Sequence, residues 1–222
     1  DPVDGIAEVA LEASEDVEAV IDKAGEVPLP PYITASLADP SRYQTVYART
    51  PGSAAAPTAG LHFTEELLER LERKTAGIAR VELRVGLGTF RPIQTERVSD
   101  HRMHREWVSV PAETVDAIAR ATSRGGRVVA VGTTVVRALE TAAREGELRP
   151  WTGHTDLFIT PGFRIRVVDR LVTNFHMPRS SLLVMIAAFM GPGWREAYSV
   201  ALQRGYRFLS FGDAMLCDRE QP

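Results

Sequence analysis

The stretch VVAVGTTVVRALE, residues Val128 to Glu140, decides the fold. Its apolar opening predicts a buried strand over Val128–Val131. Gly132 and two threonines form a turn, and a helix of about ten residues is predicted from Val135. A strand that passes through a short turn into a helix is typical of α/β proteins. This unit therefore predicts a mixed α/β fold.

The same alternation of strands and helices continues on both sides of this stretch. The predicted strands are 78–85, 107–110, 128–131, 157–160 and 165–168. The predicted helices are 16–24, 64–74, 113–122, a segment from 135, 180–189 and 194–203. Apolar spacing, capping residues and the positions of glycine support these assignments.

Composition restricts the classes of function. The chain has 222 residues, of which 44% are hydrophobic, and a formal net charge of −3. It can bury a core, and any contact with nucleic acid must use a local basic patch rather than bulk charge. Cys217 is the only cysteine, which excludes an intramolecular disulfide. The apolar run 182–190 is too short for a membrane helix and no signal peptide is visible, so we expect a cytoplasmic protein without a membrane partner.

The Gly132 turn is a candidate anion site. The first N–H groups of a helix have no partner within the helix and can bind a phosphate or a carboxylate. Thr133 or Thr134 could add a hydroxyl group. The alternative is that one threonine only caps the helix. Dinucleotide-binding and P-loop motifs are absent from the sequence.

The segment HRMHRE contains His101, His104 and Glu106. Two histidines and a carboxylate can bind zinc, but no predicted helix places both rings on one face. Hydrogen bonding and proton transfer near neutral pH are favoured over a metal site, and plain surface histidines remain the alternative.

Three further segments bring polar groups next to small or aromatic residues. TNFHMPRSS carries Asn174, His176, Arg179, Ser180 and Ser181 before an apolar helix that Ser180 or Ser181 could cap. A hydrolase triad of Ser181, His176 and Asp156 is disfavoured because no G-x-S-x-G motif is present. FLSFGD ends in Asp213, at a pocket edge or in a plain turn. PGSAAAPTAGLHFT brings Gly60 next to His62, in a loop whose small residues allow a close approach to its backbone.

Eight segments occur in order along the chain: YQTVYA, PGSAAAPTAGLHFT, VGLGTFRPI, HRMHRE, VVAVGTTVVRALE, TDLFITPGFRI, TNFHMPRSSLLVMIAAFMG and YRFLSFGDAML. Together they resemble the S-adenosylmethionine:tRNA ribosyltransferase-isomerase family, which makes epoxyqueuosine in tRNA. The resemblance covers about Val27 to Leu216, and its strength lies in the order of the segments.

The resemblance implies transfer and rearrangement of the ribosyl part of S-adenosylmethionine onto 7-aminomethyl-7-deazaguanine in tRNA, with release of adenine and methionine. A base must take a C5′ proton next to the sulfonium, and adenine needs a proton donor, roles that histidines and carboxylates usually fill. The expected catalytic residues are His62, His101, His104, Glu106, His176 and Asp213. The expected substrate-binding residues are Gly60, Thr133, Thr134, Asn174, Ser180 and Ser181. Arg91, Arg102, Arg105 and Arg179 are expected to contact tRNA.

The resemblance also implies a fold with an antiparallel barrel-like part and no metal or other cofactor, since S-adenosylmethionine is a substrate. We expect residues 1–26 to be an acidic lead-in, 27–217 the transferase core and 218–222 a tail. Members of the family begin with a further N-terminal region, which the first 26 residues do not supply. The expected protein is a monomer. The alternative is a non-catalytic fragment or paralogue that binds tRNA or a nucleotide.

Overall fold

The computed structural model describes residues 9–50, 52–86 and 93–220, which form two three-stranded sheets and six α-helices. The predicted mixed α/β class is confirmed. Each sheet has a linear strand order within the described residues, so the barrel-like part stays a prediction.

The first sheet is antiparallel and has the order β1–β2–β4. Its strands are β1 (Glu82–Arg84), β2 (Glu106–Val110) and β4 (Trp151–Thr155). Alternate residues of β2 are buried, as a strand with one covered face requires. Glu106 therefore points to the same interior face as Val108 and Val110.

The second sheet is mixed and has the order β3–β5–β6. Its strands are β3 (Val129–Val131), β5 (Arg170–Asn174) and β6 (Ala214–Asp218). β3 is parallel to β5, and β6 is antiparallel to β5. β6 ends one residue beyond the boundary predicted between core and tail; the predicted domain limits stay predictions.

Helix α4 (Thr133–Ala142) contacts strands of both sheets. Val136, Ala138 and Leu139 are buried in the core that it shares with α5 (Ser181–Met190). The remaining helices are α1 (Val17–Ala24), α2 (Glu65–Lys74), α3 (Ala112–Thr122) and α6 (Trp194–Gln203). Short 3-10 turns span Pro40–Tyr43, Thr58–His62, Val98–Asp100 and Gly191–Gly193.

Several predicted helix boundaries are confirmed by their caps. Asp16 accepts a hydrogen bond from the Ala19 N–H, and Gly25 follows the end of α1. Thr64 accepts one from the Leu67 N–H at 3.2 Å and begins α2 as predicted. α4 begins at Thr133, two residues before the predicted start.

The strand predictions are partly wrong. Residues 157–160 and 165–168 form loops, although Ile159, Ile165 and Val168 are buried. Backbone N–H groups of the second segment bind the side chain of Glu140 instead of a neighbouring strand. β4, β5 and β6 were not predicted, and only Glu82–Arg84 of the predicted strand 78–85 is paired.

No helix in the described part of the chain is long and apolar enough to cross a membrane.

Candidate functional site

Three elements meet at one edge of the second sheet. Because β3 and β5 are parallel, their carboxyl ends lie at the same edge. The Gly132 N–H donates to the Val172 carbonyl at 2.9 Å, which brings the start of α4 next to the end of β5. Asn174 pairs with Ala214, so Asp213 enters β6 at this edge. This placement brings together residues that lie far apart in the sequence.

A hydrogen-bonded chain connects the turn Thr58–His62 to the end of β5. Thr58 Oγ1 donates to Asn174 Oδ1 at 2.9 Å, and the Asn174 amide nitrogen faces His62 Nε2 at 3.4 Å. The amide therefore donates to Nε2, and the neutral His62 ring carries its proton on Nδ1. We call Thr58, His62, Asn174 and Asp213 the sheet-edge cluster.

Asp213 stands at the end of a tight turn. The backbone N–H of Arg207 donates to its Oδ2 at 2.7 Å and holds the pKa of Asp213 below its usual value. The positive charge of Arg207 acts in the same direction. A Cβ on Gly212 would lie 2.4 Å from the Arg207 carbonyl oxygen, so the turn requires glycine. The sheet-edge cluster thus contains an ionised carboxylate beside an imidazole.

The threonines at the start of α4 do not cap it. Gly132 is the N-cap residue, with φ of 97°, and no side chain supplies a capping hydrogen bond within the described residues. Thr133 is buried and Thr134 half-buried. Because the capping alternative fails, the first N–H groups of α4 keep the anion-binding capacity that the sequence suggests.

Gly60 is buried in the same turn as His62. A Cβ at this position would lie 1.9 Å from the Tyr47 hydroxyl oxygen and 2.9 Å from the Thr45 methyl group. Glycine here permits contact with a neighbouring segment of the chain itself. Its predicted contact with S-adenosylmethionine stays a prediction.

A second group of titratable side chains lies between β2 and α4. Glu106 is 1% exposed and Arg137 is 3% exposed. Arg137 Nη1 donates to Glu106 Oε2, and His104 Nε2 lies 2.8 Å from Glu106 Oε1. Burial lowers the pKa of Arg137, while the Glu106 carboxylate opposes that shift. We call His104, Glu106 and Arg137 the buried ion-pair cluster.

His101 lies beside this cluster. Its ring packs edge-on against Phe158, with centroids 5.2 Å apart. Burial lowers the pKa of His101, and the charge of His104 contributes to the same shift. Arg102 and Arg105 are exposed. The segment thus directs its histidines inward and its arginines outward.

His176 is separated from His62 by the sheet. Thr173 and Asn174 are successive strand residues and point to opposite faces. Thr173 Oγ1 lies 2.9 Å from His176 Nε2, and the His176 backbone N–H donates to the Tyr198 hydroxyl at 2.9 Å. Burial lowers the pKa of His176 to about 4. His176 is therefore neutral at pH 7, and its Nε2 contacts Thr173 in place of a hydrolase serine.

Ser180 is the N-cap of α5, which was one of the two residues predicted for that role. Its hydroxyl accepts a hydrogen bond from the Leu183 N–H and donates one to the Met177 carbonyl. Ser181 is buried in the first turn of that helix. Arg179 has a φ of 58° and is exposed. Arg179 and Ser180 line a cleft of about 490 Å³ with Ile93, Leu183 and Trp194. This cleft is a third candidate location, in addition to the sheet-edge cluster and the buried ion-pair cluster.

Arg91 lies outside the described residues. Within the described residues, no group of three or more histidine, cysteine, aspartate or glutamate side chains is placed to hold a metal ion.

Comparison with known proteins decides the family. The family model described as "Queuosine biosynthesis protein" matches residues 3–217. The chain belongs to this queuosine biosynthesis family. The resemblance predicted from the eight ordered segments is thereby confirmed.

Similar proteins include the S-adenosylmethionine:tRNA ribosyltransferase-isomerases of Acaryochloris marina and Azoarcus sp. The first is 56% identical over 203 residues, which cover 91% of this chain and 55% of the relative. The second is 56% identical over 208 residues, which cover 92% and 60%. The crystal structure of S-adenosylmethionine tRNA ribosyltransferase from Thermotoga maritima matches with a TM-score of 0.60 and 51% identity, covering 72% of this chain and 51% of that one. The chain thus spans between 51% and 60% of the length of these relatives.

Sequence reasoning missed two side chains that hold the clusters of this queuosine biosynthesis family member in place. Arg137 binds Glu106, and Thr58 binds Asn174. Arg137 had a detectable signal, because it is a charged residue in the otherwise apolar start of a core helix, where charges are rare unless paired. Thr58 had none, since its partner is 116 positions away in the sequence.

Proposed function

We propose that this chain carries the chemistry of an S-adenosylmethionine:tRNA ribosyltransferase-isomerase. In this reaction the ribosyl part of S-adenosylmethionine is transferred and isomerised onto 7-aminomethyl-7-deazaguanine in tRNA, giving epoxyqueuosine and releasing adenine and methionine. The observation that carries the proposal is the 56% identity to relatives of that name over more than nine tenths of the chain.

The sheet-edge cluster supports the proposal through its chemistry. His62 and the ionised Asp213 are proton carriers, while Asn174 and Thr58 supply donors and acceptors for a polar ligand. The uncapped N–H groups at Thr133 and Thr134 are suited to a carboxylate, such as that of the methionyl group of S-adenosylmethionine.

The buried ion-pair cluster supports it in a second way. His104 and Glu106 join a half-exposed imidazole to a carboxylate, as acid–base catalysis requires. His101 lies next to them. His176 is a neutral residue on the far side of the sheet, and in this proposal it supports the fold around Asn174 rather than the chemistry.

For tRNA, we propose a local basic surface on an otherwise acidic chain. Arg102, Arg105 and Arg179 are exposed and carry the planar guanidinium groups that suit phosphate. Ser180 and Ser181 lie next to Arg179. Arg91 is part of the same proposal on sequence grounds alone. The proposed partners are tRNA with 7-aminomethyl-7-deazaguanine and S-adenosylmethionine as a substrate, with no resident cofactor, in a cytoplasmic monomer.

The test measures the release of adenine from S-adenosylmethionine, with chromatography to quantify the adenine. The wild-type chain is incubated with tRNA that carries 7-aminomethyl-7-deazaguanine and, as the control, with tRNA that carries guanine at that position. A His101→Ala variant is run in parallel. We expect adenine only with the modified tRNA, and a lower rate for the variant.

Three other results would favour a different function or a different set of catalytic residues. Binding of S-adenosylmethionine by calorimetry without adenine release would favour a non-catalytic fragment or paralogue. S-adenosylhomocysteine as the product would indicate a methyltransferase. An unchanged rate in the His101→Ala variant would remove His101 from the catalytic residues.

A further inference from the structure

The buried ion-pair cluster connects the protein interior to its surface. Glu106 lies on the interior face of β2, and its two oxygens have different neighbours. Oε2 accepts from Arg137, and Oε1 faces His104 Nε2 at 2.8 Å. Glu106 and Arg137 are almost wholly buried, whereas the His104 side chain is 23% exposed. His104 is thus the member of the cluster that a ligand can approach.

Arg137 stabilises the ionised form of Glu106. A carboxylate buried this deeply takes up a proton unless a positive charge or hydrogen bonds hold it ionised. The guanidinium supplies both, and its Nε donates to the Leu157 carbonyl at 3.1 Å, which fixes its orientation. An ionised Glu106 attracts the His104 N–H more strongly than a neutral acid does. The proton of the neutral ring then lies on Nε2, and Nδ1 is the basic nitrogen.

The other histidines have different partners. His62 receives an amide N–H, His176 faces a hydroxyl group, and His101 packs against Phe158. Within the part of the chain that the structure describes, His104 is the one histidine within ion-pair distance of a carboxylate. A carboxylate behind an imidazole stabilises the charged ring that forms when the imidazole takes a proton.

We propose that His104 is the proton-transferring residue of the reaction and that Glu106 and Arg137 are positioning residues that fix its ring and tautomer. The assignment rests on the proposed function. It separates the roles of the six expected catalytic residues and adds Arg137, which the sequence analysis did not name.

The proton balance is simple. Nδ1 of neutral His104 takes a proton from C5′, next to the sulfonium, and the electron pair of the C–H bond forms a C4′–C5′ double bond as the C4′–O4′ bond breaks. The O4′ electron pair forms a C1′–O4′ double bond, the C1′–N bond to adenine breaks with its electron pair on nitrogen, and the imidazolium gives its proton to the departing adenine. His104 ends neutral, and Glu106 stays ionised throughout.

Charged groups act on His104 from several elements of the fold. Glu106 faces it from β2 and Arg137 stands behind Glu106 on α4. His101 acts on it from its own segment, and Asp156 acts on Arg137 from the loop after β4. The ring signals of His104 are therefore compared with those of His101 in the same sample.

The experiment records the ring ¹⁵N and ¹H signals of His104 by NMR across pH in the wild-type chain, Glu106→Gln, Arg137→Lys and the control His154→Gln. His154 is an exposed histidine on β4 outside both clusters. We expect one Nε2–H tautomer in the wild type. Glu106→Gln should give mixed tautomers, because the carboxylate that faces Nε2 is replaced by an amide. Arg137→Lys, which keeps the charge, should stay close to the wild type.

Adenine release is measured on the same proteins and on His104→Gln. General acid–base catalysis contributes about 100-fold or more, so His104→Gln should lose at least that factor. Glu106→Gln should lower the rate of adenine release as well as mix the tautomers. His154→Gln should change neither.

Two results would overturn the assignment. One is a His104 tautomer that Glu106→Gln leaves unchanged. The other is a His104→Gln variant that keeps its rate within a few-fold of an active wild type. A wild-type chain that releases no adenine counts against the proposed function, while the ring signals still decide whether Glu106 and Arg137 fix His104.

Discussion

Glu106 on β2 and Glu140 on helix α4 are both 1% exposed, yet their charges are compensated in different ways. Glu140 accepts from the backbone N–H groups of residues 166, 167 and 168 at 2.8 to 3.1 Å. Glu106 is held by the side chains of Arg137 and His104. Backbone donors neither titrate nor leave, so Glu140 fixes a loop. Side-chain partners can exchange protons, so Glu106 connects the interior to a group that solvent reaches.

The largest effect is expected from breaking the side-chain pair. Arg137→Met leaves Glu106 buried without its counter-charge, which costs about 3–5 kcal/mol of the free energy of unfolding. Urea denaturation of the variant and the wild type at pH 7 measures this difference.

A double variant separates the charge from the packing. Arg137→Met combined with Glu106→Leu replaces the pair with apolar side chains, and such replacements are often close to neutral. We expect it to recover most of the lost stability. If the single variant lost less than about 1 kcal/mol, the guanidinium would not be compensating a buried charge.

The backbone-held carboxylate is expected to have the next largest effect. Glu140→Gln replaces one acceptor oxygen with an NH2 group that faces N–H donors, and it removes the charge. A loss of about 2–3 kcal/mol in the free energy of unfolding is expected. The His104 ring signals should not change, because the Glu140 carboxylate is bound by the backbone N–H groups of residues 166, 167 and 168. A changed His104 tautomer would show that the two carboxylates are not independent.

Glu140 also explains why some strands could not be predicted. Segment 165–168 has the apolar alternation of a strand, and Ile165 and Val168 are indeed buried. The pattern predicted burial correctly and pairing wrongly, because a carboxylate 26 to 28 positions earlier in the sequence takes up the N–H groups. Periodicity reports which side chains face the core and carries no information about a distant acceptor. The strand–turn–helix at 128–140 was predictable because its determinants are local.

Burial of His176 is expected to have a smaller effect on the free energy of unfolding, and this effect depends on pH. His176 has a pKa of about 4 in the folded chain against 6.5 when unperturbed, and burial is the cause. The unfolded chain therefore binds a proton at a pH where the folded chain does not. Stability is complete above about pH 6.5 and falls as the pH decreases toward 4, by at most about 1.4 kcal/mol per pH unit.

The matched variant is His176→Gln, which keeps a polar group near Thr173 and cannot titrate. Urea denaturation at pH 7, 6 and 5 should give a smaller loss of stability for the variant than for the wild type. Equal slopes for both proteins would mean that His176 takes its proton in the folded chain as readily as in the unfolded one.

The candidate site was predictable in its residue types and not in its grouping. The sequence identified His62, Asn174 and Asp213, which the sheet edge does bring together. It also placed His176 with them, although the alternation of β5 directs Thr173 and Asn174 to opposite faces. That separation depends on where β5 begins and ends, and β5 was not predicted. Arg137 required knowledge that α4 lies against β2.

The smallest effect is expected from an exposed ion pair with the same chemistry as the buried one. Arg149 Nη2 lies 3.7 Å from Glu147 Oε2, and the two side chains are 72% and 87% exposed. Water solvates both charges whether or not they pair, so Arg149→Gln should change the free energy of unfolding by about 0.5 kcal/mol or less. Urea denaturation at low and high salt measures it, and salt should reduce even this difference. A loss as large as that of Arg137→Met would mean that pairing itself, and not burial of the partner charge, determines the energy.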